Sequence, residues 1–413
     1  MPDFRPFRGL RYDLGVLGAE IGAVTAPPYD VIDESERIEL EAFHESNSVR
    51  LILPRDDAGQ GDRYRVAAKM LAQLQTNGVL LQDDSSRFYG YRMDFTDPDG
   101  GPAHTTGVLG ALQLPERAGV GGVLPHERTL PKAKSDRLAL LRATRANLDP
   151  IWGLSPTPGL TMLIDTTVEL ASCLDADGTR HTLYAIDDDD SISAISSAIT
   201  RHPLVLADGH HRFETAIAYR EEQSQLGESI VGPDAILCFV VELSDDELCI
   251  QPIHRLVTVR DEIDVVSLLA GAFTIEAVGP NTPDDLAELR AKMHEAGCLG
   301  LATEDRLYAL KPLPEVCEPA LIKAEHAAVR GTDAALVEAV IVPLLGSAEW
   351  RYRHDIDVVA SLARSGEATI GLLLNPVSVK DTAAAAEAGV RMPQKSTYFF
   401  PKPRTGMVFR LFD

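Results

Sequence analysis

The stretch Leu204-Val-Leu-Ala-Asp-Gly-His-His-Arg-Phe-Glu-Thr-Ala-Ile217 places a carboxylate, a glycine, two imidazoles and a guanidinium in five consecutive positions. Four apolar residues with the length and branching of a buried strand precede them, and apolar residues at helical spacing follow. Gly209 permits close backbone approach or a positive φ, and a helix start presents unpaired N–H groups and the positive end of its dipole. With Arg212 beside it, this turn favours an anion, above all a phosphate.

The same turn also has a purely structural interpretation. Asp208 can cap the helix, and His210 and His211 can be ordinary turn residues. Adjacent histidines do not share a helix face, so these two make a poor metal pair by themselves. Apolar strands often feed functional turns in α/β units, and this favours the phosphate site over the cap.

A second dense stretch concentrates positive charge inside an acidic chain. Such a concentration favours an anionic ligand, although a solvated helix with scattered charges stays open as the alternative. His126 and Glu127 lie directly before it. The six basic residues are Arg128, Lys132, Lys134, Arg137, Arg142 and Arg145.

Three further stretches are candidates for ligand contacts. In Pro27-Pro28-Tyr29-Asp30 the prolines force an extended or turning backbone, which is either a rigid surface turn or a loop that lends Tyr29 or Asp30 to a site. His254-Arg255 lies in a strand, either as a ligand contact or as an ordinary edge-strand pair. Lys395-Ser396-Thr397 precedes an aromatic strand, and its basic and hydroxyl side chains suit phosphate. A structural hairpin is the alternative there.

Helical and strand patterns alternate along the chain, which predicts a mixed α/β (α+β) protein. Arg87–Phe95 and Thr105–Leu114 are predicted to form a hairpin, and Ser48–Pro54 is predicted to be a strand ended by its proline. At 413 residues the chain is long for one core. We expect three lobes, over residues 1–120, 121–260 and 261–413, with the 208–212 turn in the middle one.

Composition disfavours several classes of partner. The chain has 62 acidic and 39 basic residues, a net charge of −23. A surface this acidic argues against nucleic acid and anionic membranes, because binding to them rests on neutralising negative charge. No stretch approaches the length of a membrane-spanning helix. The oligomeric state is left open, a homodimer included.

The cysteines and the first residues predict the compartment. Five cysteines are scattered and none forms a Cys-x-x-Cys pair, as expected for buried thiols in a reducing compartment. The opening Met-Pro-Asp-Phe-Arg-Pro-Phe lacks the apolar run of a signal peptide. We therefore expect a cytoplasmic protein.

Common catalytic and nucleotide-binding motifs are missing from the sequence. It has no Gly-x-x-x-x-Gly-Lys-Ser/Thr loop, no Gly-x-Gly-x-x-Gly and no His-Glu-x-x-His. It also has no Gly-x-Ser-x-Gly elbow and no kinase Asp-Phe-Gly set. The usual nucleotide, dinucleotide, zinc-protease and hydrolase interpretations therefore have no support from motifs.

Several stretches together resemble a bacterial family known only as a domain of unknown function. They span nearly the whole chain in family order, and the resemblance brings no activity with it. The stretches are Pro27-Pro28-Tyr29-Asp30-Val31, His126-Glu127, Asp136-Arg137, Ala207-Asp208-Gly209-His210-His211-Arg212, Pro252-Ile253-His254-Arg255 and Met392-Pro393-Gln394-Lys395-Ser396-Thr397-Tyr398-Phe399.

The central turn is also similar to that of archaeal free serine kinases, members of the ParB/sulfiredoxin superfamily. This resemblance implies a ParB/sulfiredoxin-like nucleotide-binding core over residues 121–260, flanked by additional α/β lobes. It implies that Asp208 lies near Mg²⁺ or the transferred group. It also implies that the phosphates of ATP or ADP are held by Gly209, His210, His211 and Arg212.

The first hypothesis is a nucleotide-dependent phosphotransferase that acts on a small hydroxyl metabolite, such as free L-serine. Arg212 and the helix start would stabilise the transferring phosphoryl group, and a carboxylate would take the hydroxyl proton. The kinases' catalytic carboxylate has no motif match here, so that role stays open between Glu127 and Asp30. Catalysis is assigned to Asp208, His210 and Glu127, and substrate binding to Tyr29, Asp30, His126, Arg137, His254 and Arg255.

Two other classes of function stay open. One is a nucleotide-binding regulator with slow hydrolysis or none, as ParB-like proteins use nucleotide to change partners. The other is a metal-dependent hydrolase built on His126, Glu127, His210 and His211. The phosphate-site chemistry outweighs the weak metal spacing and favours the phosphotransferase.

Overall fold

The computed structural model describes residues 1–56, 62–98, 100–117, 121–125, 131–226, 231–259 and 263–412, with the side chains of 131–134 left out. These residues form two compact units. The first contains the described residues of 1–125, 131–249 and 401–412, and the second those of 250–400. The first unit is thus discontinuous in sequence.

The strands of the described residues are, in chain order, β1 (Phe4–Arg5), β2 (Leu10–Tyr12), β3 (Leu80–Gln82), β4 (Phe88–Thr96), β5 (Pro102–Gln113), β6 (Val123–Pro125), β7 (Ala146–Asn147), β8 (Ile151–Ser155), β9 (Glu169–Leu174), β10 (Arg180–Ile186), β11 (Leu204–Asp208), β12 (Ala235–Glu242), β13 (Cys249–Gln251), β14 (His254–Thr258), β15 (Phe273–Pro280), β16 (Leu299–Ala302), β17 (Arg306–Pro312), β18 (Glu349–Arg353), β19 (Ile370–Leu373), β20 (Tyr398–Phe400) and β21 (Arg410–Leu411).

The α-helices of the same residues are α1 (Leu14–Leu17), α2 (Glu34–Phe43), α3 (Val49–Ile52), α4 (Arg63–Thr76), α5 (Pro131–Thr144), α6 (Asp189–Thr200), α7 (His210–Leu226), α8 (Val265–Leu269), α9 (Pro283–Ala296), α10 (Pro314–Ala324), α11 (Asp333–Leu336), α12 (Val342–Leu345), α13 (Ile356–Arg364) and α14 (Val379–Glu387). A π-helical segment, Val337–Ile341, joins α11 to α12.

The first unit is built on a mixed sheet, nine-stranded in the described residues. Its strand order is β6-β11-β8-β12-β5-β4-β10-β9, and β1 pairs with β5 beside this path. Apolar side chains of the sheet form one core with those of α6 and α7, such as Ile195 and Phe213. Burial of such apolar surface, at about 25 cal/mol per Å², drives the packing of these helices on the sheet.

Strand β11 lies inside this sheet, parallel to β6 and antiparallel to β8. Its first four residues are all buried, which is why they form a continuous apolar run rather than an alternating one. The prediction of a strand, a turn and a helix in this stretch is confirmed. Pairing on both sides therefore fixes the strand that leads into the polar turn.

The second unit contains an antiparallel sheet, six-stranded in the described residues, in the order β15-β17-β16-β19-β14-β18. One apolar cluster includes residues of α8 and the Val337–Ile341 segment, and another includes residues of α9 and α13. Helices and sheets in both units make this a mixed α/β protein, as predicted. The ParB/sulfiredoxin-like core and the three lobes bounded at 120 and 260 stay predictions.

The predicted strand Ser48–Pro54 is wrong, because the structure has the short helix α3 there. Asn47 accounts for the difference: its side-chain oxygen accepts from the Val49 N–H at 2.9 Å, and its amide donates to the Ala23 carbonyl at 2.9 Å. These bonds favour a helical turn. Val49, Leu51 and Ile52 are all buried, so the turn shows no amphipathic period.

Candidate functional site

The turn after β11 has a backbone that requires glycine. Gly209 has φ of +82°, and a Cβ at this position would lie 2.8 Å from Ile151 Cγ2 and 3.1 Å from Ile151 Cα. The pairing of β11 with β8 shifts register between Leu206 and Asp208, and such irregularities re-aim side chains at strand ends. Helix α7 starts at His210, directly after the glycine. The turn therefore places the N-terminus of a long helix beside Asp208.

Asp208 is held between two cations. Lys402 donates from Nζ to Asp208 Oδ2 at 3.0 Å, and Arg212 Nη2 lies 3.7 Å from the same oxygen. Burial alone would raise the pKa of Asp208, but the charges of Lys402 and Arg212, the lysine hydrogen bond and the Gly209 N–H outweigh it. The pKa of Asp208 consequently lies well below its ordinary value, and the group is a carboxylate at neutral pH.

Arg212 is the cationic side chain that was predicted from the sequence to bind an anion at this turn. Its Nη1 donates to the Pro150 carbonyl at 2.5 Å, and its guanidinium carbon lies 5.9 Å from the centre of the Tyr29 ring. The side chain is only 11% exposed. Its Nε is buried and has no hydrogen-bond partner among the described residues. A buried donor of this kind is suited to an acceptor supplied by a ligand.

A second guanidinium shares the same aromatic ring. Arg137 stacks over Tyr29 at 4.2 Å and donates from Nη1 to the Ile52 carbonyl at 2.8 Å. Its Nε and Nη2 donate to Asp136, whose other oxygen accepts from Tyr64 at 2.8 Å. Burial, with a smaller contribution from the Asp30 charge, raises the pKa of Tyr29 to about 12. Tyr29 is therefore a neutral platform for both arginines.

Asp149 is the second carboxyl group near Arg212. It is 8% exposed, and its Oδ1 accepts from the hydroxyl of Thr405. Burial raises the pKa of Asp149, and the Asp30 charge adds to this, while Arg212, Thr405 and Arg137 oppose it. The pKa of Asp149 is thus raised and that of Asp208 is lowered, because only Asp208 has a lysine beside it.

Lys402 and Thr405 come from residues 401–412, which buried hydrogen bonds anchor to the first unit. The backbone N–H of Arg404 donates to Tyr91 Oη at 3.0 Å, and its guanidinium donates to Asp175 at 3.1 Å. His181 joins these partners, at 2.8 Å from Tyr91 Oη and 3.0 Å from Asp175. This network fixes the backbone on both sides of Arg404 and so positions Lys402 and Thr405.

A cavity of about 50 Å³ lies beside the two arginines, and we call it the arginine cavity. Its lining includes both polar and apolar side chains. Thr215 is 3% exposed, and its Oγ1 has no hydrogen-bond partner among the described residues. The cavity is lined by Arg137, Asn147, Asp149, Arg212 and Thr215, and by Leu140, Leu141, Ala146, Leu148, Ala216 and Ile236.

The residues predicted for the site fall into three groups, which lie in the first unit, outside the described residues and in the second unit. Asp208, Gly209, Arg212, Arg137 and Tyr29 lie together in the first unit, as the contacts above show. His210 and His211 begin α7 and are half-buried, and Asp30 is exposed beside Tyr29. His126, Glu127 and Arg128 lie outside the described residues. The catalytic, binding and metal roles given to these residues stay predictions.

The remaining predicted residues belong to the second unit. His254 is buried, its Nδ1 accepts from the Leu374 N–H at 3.0 Å, and burial lowers its pKa to about 3. Arg255 donates to the Ile253 carbonyl at 2.5 Å and stacks on Tyr352. Both have structural contacts that account for their burial. Lys395 has φ of +57°, Ser396 donates to the Pro393 carbonyl at 2.6 Å, and Thr397 is buried.

Four residues around the turn were not predicted from the sequence, namely Lys402, Asp149, Thr405 and Thr215. A lysine between two prolines, Pro401-Lys402-Pro403, and an acid before a proline in an apolar context, Leu148-Asp149-Pro150, were the available signals. Neither pattern points to a partner at a distant position in the chain. Only the fold brings these side chains to Asp208 and Arg212.

The described residues hold no cluster of three or more histidine, cysteine, aspartate or glutamate side chains that could bind a metal ion. Asp208 is the carboxylate nearest the turn, and Lys402 and Arg212 already neutralise it. In the same described ranges, no helix combines the length and the apolar character that crossing a membrane requires.

A family model described as "Protein of unknown function (DUF1015)" matches residues 4–337. The chain belongs to this family. Lys402 and Thr405 lie beyond the matched residues, whereas the turn, Tyr29, Arg137 and Asp149 lie within them. No curated protein matches the chain.

Solved structures resemble the chain at low identity. A free serine kinase in complex with AMP is 13% identical, with a TM-score of 0.38, and the match covers 70% of this chain and 88% of that one. A C-terminally truncated SbnI from Staphylococcus aureus is 12% identical, with a TM-score of 0.39 over 72% and 85% of the two chains. A conserved hypothetical protein from Pyrococcus furiosus is 12% identical, with a TM-score of 0.36 over 70% and 90%.

Proposed function

We propose that this protein is a nucleotide-dependent phosphotransferase that acts on a small hydroxyl metabolite and binds phosphate at Gly209–Arg212. The observation that carries the proposal is the buried Arg212 Nε, which has no partner among the described residues and lies at the start of a 17-residue helix. A guanidinium N–H without a partner at the N-terminus of a helix is suited to bind phosphate oxygens. At TM-scores below 0.4, the likeness to kinase structures carries none of this argument.

Charge at the turn supports an anionic ligand of this kind. The low pKa of Asp208 keeps one negative charge in place, and Lys402 and Arg212 contribute two positive charges against it. Arg137 adds a guanidinium over the same Tyr29 ring as Arg212, although Asp136 pairs with it. The carboxyl groups of Asp149 and Asp30 also act on Arg212, so a phosphate would be attracted by the individual cationic donors of Lys402 and Arg212 and not by an excess of positive charge around them.

A bound ATP or ADP would supply the transferable phosphoryl group, and Asp208 is the residue that would hold Mg²⁺, which would neutralise charge on the phosphates. Arg212 and the first N–H groups of α7 would stabilise negative charge on that group as it moves to the acceptor oxygen. Lys402 would hold Asp208 in the ionised state. The exposed Asp30, next to Tyr29, is the described carboxylate available to take the acceptor's proton. A ParB/sulfiredoxin-like core for the first unit is part of this proposal.

Thermal unfolding with a panel of Mg²⁺–nucleotides tests the phosphate site. A ligand at one hundred times its Kd stabilises the folded state by about 2.7 kcal/mol, so binding raises Tm. Arg212→Ala should remove the shift. Arg220→Ala is the matched control, because Arg220 lies on the same helix and donates to the Leu114 and Glu116 carbonyls instead. Absence of a shift for every nucleotide with the wild-type protein would overturn the proposal.

Turnover distinguishes the phosphotransferase from the other two classes. With free L-serine and other small hydroxyl compounds as acceptors, Asp208→Asn should abolish phosphoryl transfer and leave nucleotide binding. A nucleotide-dependent change in assembly without transfer would favour a ParB-like regulator. Stoichiometric zinc or manganese without nucleotide binding would favour a metal-dependent hydrolase.

A further inference from the structure

Arg212 lies among carboxyl groups to which it makes no hydrogen bond in the described residues. The charges of Asp149 and Asp208 both act on it. Its Nη2 lies 3.7 Å from Asp208 Oδ2, which is beyond hydrogen-bonding distance, and its Nη1 donates to the Pro150 carbonyl. An arginine beside a carboxylate usually forms hydrogen bonds to it, often two at once. Other groups must therefore hold these two carboxyl groups.

Both carboxyl groups have partners in the C-terminal segment of the chain. Lys402 Nζ donates to Asp208 Oδ2 at 3.0 Å, which is the same oxygen that Arg212 approaches. Thr405 Oγ1 donates to Asp149 Oδ1. Lys402 and Arg212 thus compete for one oxygen atom, and the lysine makes the shorter contact.

The observed arrangement leaves a donor of Arg212 available. Its Nε is buried and has no partner among the described residues. Nε and Nη2 form one edge of the planar guanidinium, and a carboxylate can accept two parallel hydrogen bonds from such an edge. Nη2 is the nitrogen in contact with Asp208. If this carboxylate moved closer, it would take Nε as well, and the donor proposed for phosphate would be satisfied within the protein.

We infer that Lys402 is a positioning residue for phosphate binding, because by holding Asp208 it keeps that carboxylate from pairing with Arg212. Thr405 has the same role towards Asp149. The availability of Arg212 to a phosphate rests on the proposed function, whereas the competition between Lys402 and Arg212 for Asp208 does not.

Calorimetric titration with ADP, without added metal, tests the consequence for phosphate binding. Lys402→Met should weaken ADP binding about tenfold, and Lys402→Arg, which keeps the charge, should weaken it less. Because the lysine acts through Asp208, Lys402→Met should have little effect in an Asp208→Asn background. Equal weakening in the two backgrounds would mean that Lys402 contacts the phosphates directly, and would overturn the inference.

A second pair of variants keeps the test decisive if Lys402→Met folds poorly. Thr405→Val removes the hydroxyl that holds Asp149 at nearly constant shape, and should weaken ADP binding about threefold or more. Asp149→Asn in the same chain should restore it, and a loss that is not restored would contradict the role of Thr405. Arg220→Met is the matched control for both pairs, because Arg220 lies on α7 and donates to backbone carbonyls.

Urea unfolding without ligand tests the competition itself. The coupling free energy between Asp208 and Arg212 comes from Asp208→Asn and Arg212→Met, each alone and combined. In a Lys402→Met background this coupling should increase by about tenfold in the unfolding equilibrium. Equal coupling with and without the lysine would overturn the inference. If the wild-type protein binds no ADP, with or without Mg²⁺, the proposed function fails, and this measurement still decides whether Lys402 keeps Asp208 from Arg212.

Discussion

Lys402 and Asp208, which lie 194 positions apart in the chain, are joined by a hydrogen bond of 3.0 Å between Nζ and Oδ2. Arg212 lies against the same carboxylate oxygen, so Asp208 is shared between one cation from the adjoining helix α7 and one from a distant segment. Both cations are largely buried. The charge at the start of α7 therefore depends on residues from two parts of the sequence.

Lys402→Ala should lower the free energy of unfolding by about 2–3 kcal/mol, because a largely buried carboxylate loses a charged partner. Urea unfolding should be followed in a Trp350→Phe background, where the buried Trp152 is the remaining tryptophan and reports on the first unit. Arg142→Ala is the control in the same unit, since its pair with Glu222 is largely exposed and should contribute at most about 1 kcal/mol. Equal losses for Lys402→Ala and Arg142→Ala would contradict this account.

Asp208 should make the first unit sensitive to acid. Its pKa is lower in the folded protein than in the unfolded chain, so the contribution to stability is complete above the unfolded value, about 3.9, and is lost as pH falls towards the folded value. Asp208→Asn should therefore be destabilising at pH 7 and progressively less so as pH falls below about 3.9. Urea unfolding between pH 3 and pH 7 measures this difference in stability between the variant and the wild type. A difference that stays constant with pH would argue against a lowered pKa of Asp208.

Asp149 should behave in the opposite way. Its pKa is raised in the folded protein, so the protonated form stabilises the fold and this contribution is lost as pH rises through the folded value. Asp149→Asn keeps an acceptor for Thr405 and should not lower stability at pH 7. Urea unfolding over the same pH range measures this. If Asp149→Asn lowers the free energy of unfolding at pH 7 as much as Asp208→Asn does, the pKa of Asp149 is not raised by the fold.

Gly209→Ala should cost about 2–4 kcal/mol, because it combines a positive φ with a Cβ only 2.8 Å from Ile151 Cγ2. Gly178→Ala separates the two effects, since Gly178 has φ of +87° and no heavy atom within 4 Å of its Cβ position. It should cost about 1 kcal/mol. If both variants lose the same amount, the contact with Ile151 does not constrain the turn.

Tyr91→Phe should cost about 2–3 kcal/mol, since the hydroxyl has two buried partners, the Arg404 N–H and His181. Tyr12→Phe is matched to it, because its buried hydroxyl has the Ser46 carbonyl as partner and should cost about 1 kcal/mol. Hydrogen exchange at residues 402–405 should also increase in Tyr91→Phe alone. A smaller loss for Tyr91 than for Tyr12 would mean that the network does not anchor this segment.

Local patterns were sufficient for the elements around the turn. The continuous apolar run Leu204–Ala207 and the helical spacing after it predicted β11 and α7, because both elements bury their apolar residues within the same core. The hairpin of β4 and β5 was also predicted, from the alternation of Arg87–Phe95, although β4 is buried over most of its length. Gly209, Arg212, Tyr29 and Arg137 were found as candidates because their types suit an anion.

Long-range contacts account for what the sequence did not predict. Lys402 and Thr405 reach the first unit only through pairing of residues 401–412 with it, and no periodicity in the sequence reports that return. The burial of Asp149 near Arg212 likewise depends on the fold and not on a local pattern. The short helix α3 was missed because a fully buried turn has no polar face.

Since residues 250–400 separate the two parts of the first unit, a nascent chain contains Asp208 well before it contains Lys402. At about 5–20 residues per second, the ribosome needs roughly 10–40 s to add the intervening residues. During that time Asp208 and Asp149 are without Lys402 and Thr405. The protein therefore acquires the charge balance of its turn only late in translation, so a ribosome-bound intermediate should not bind ligand as the released protein does.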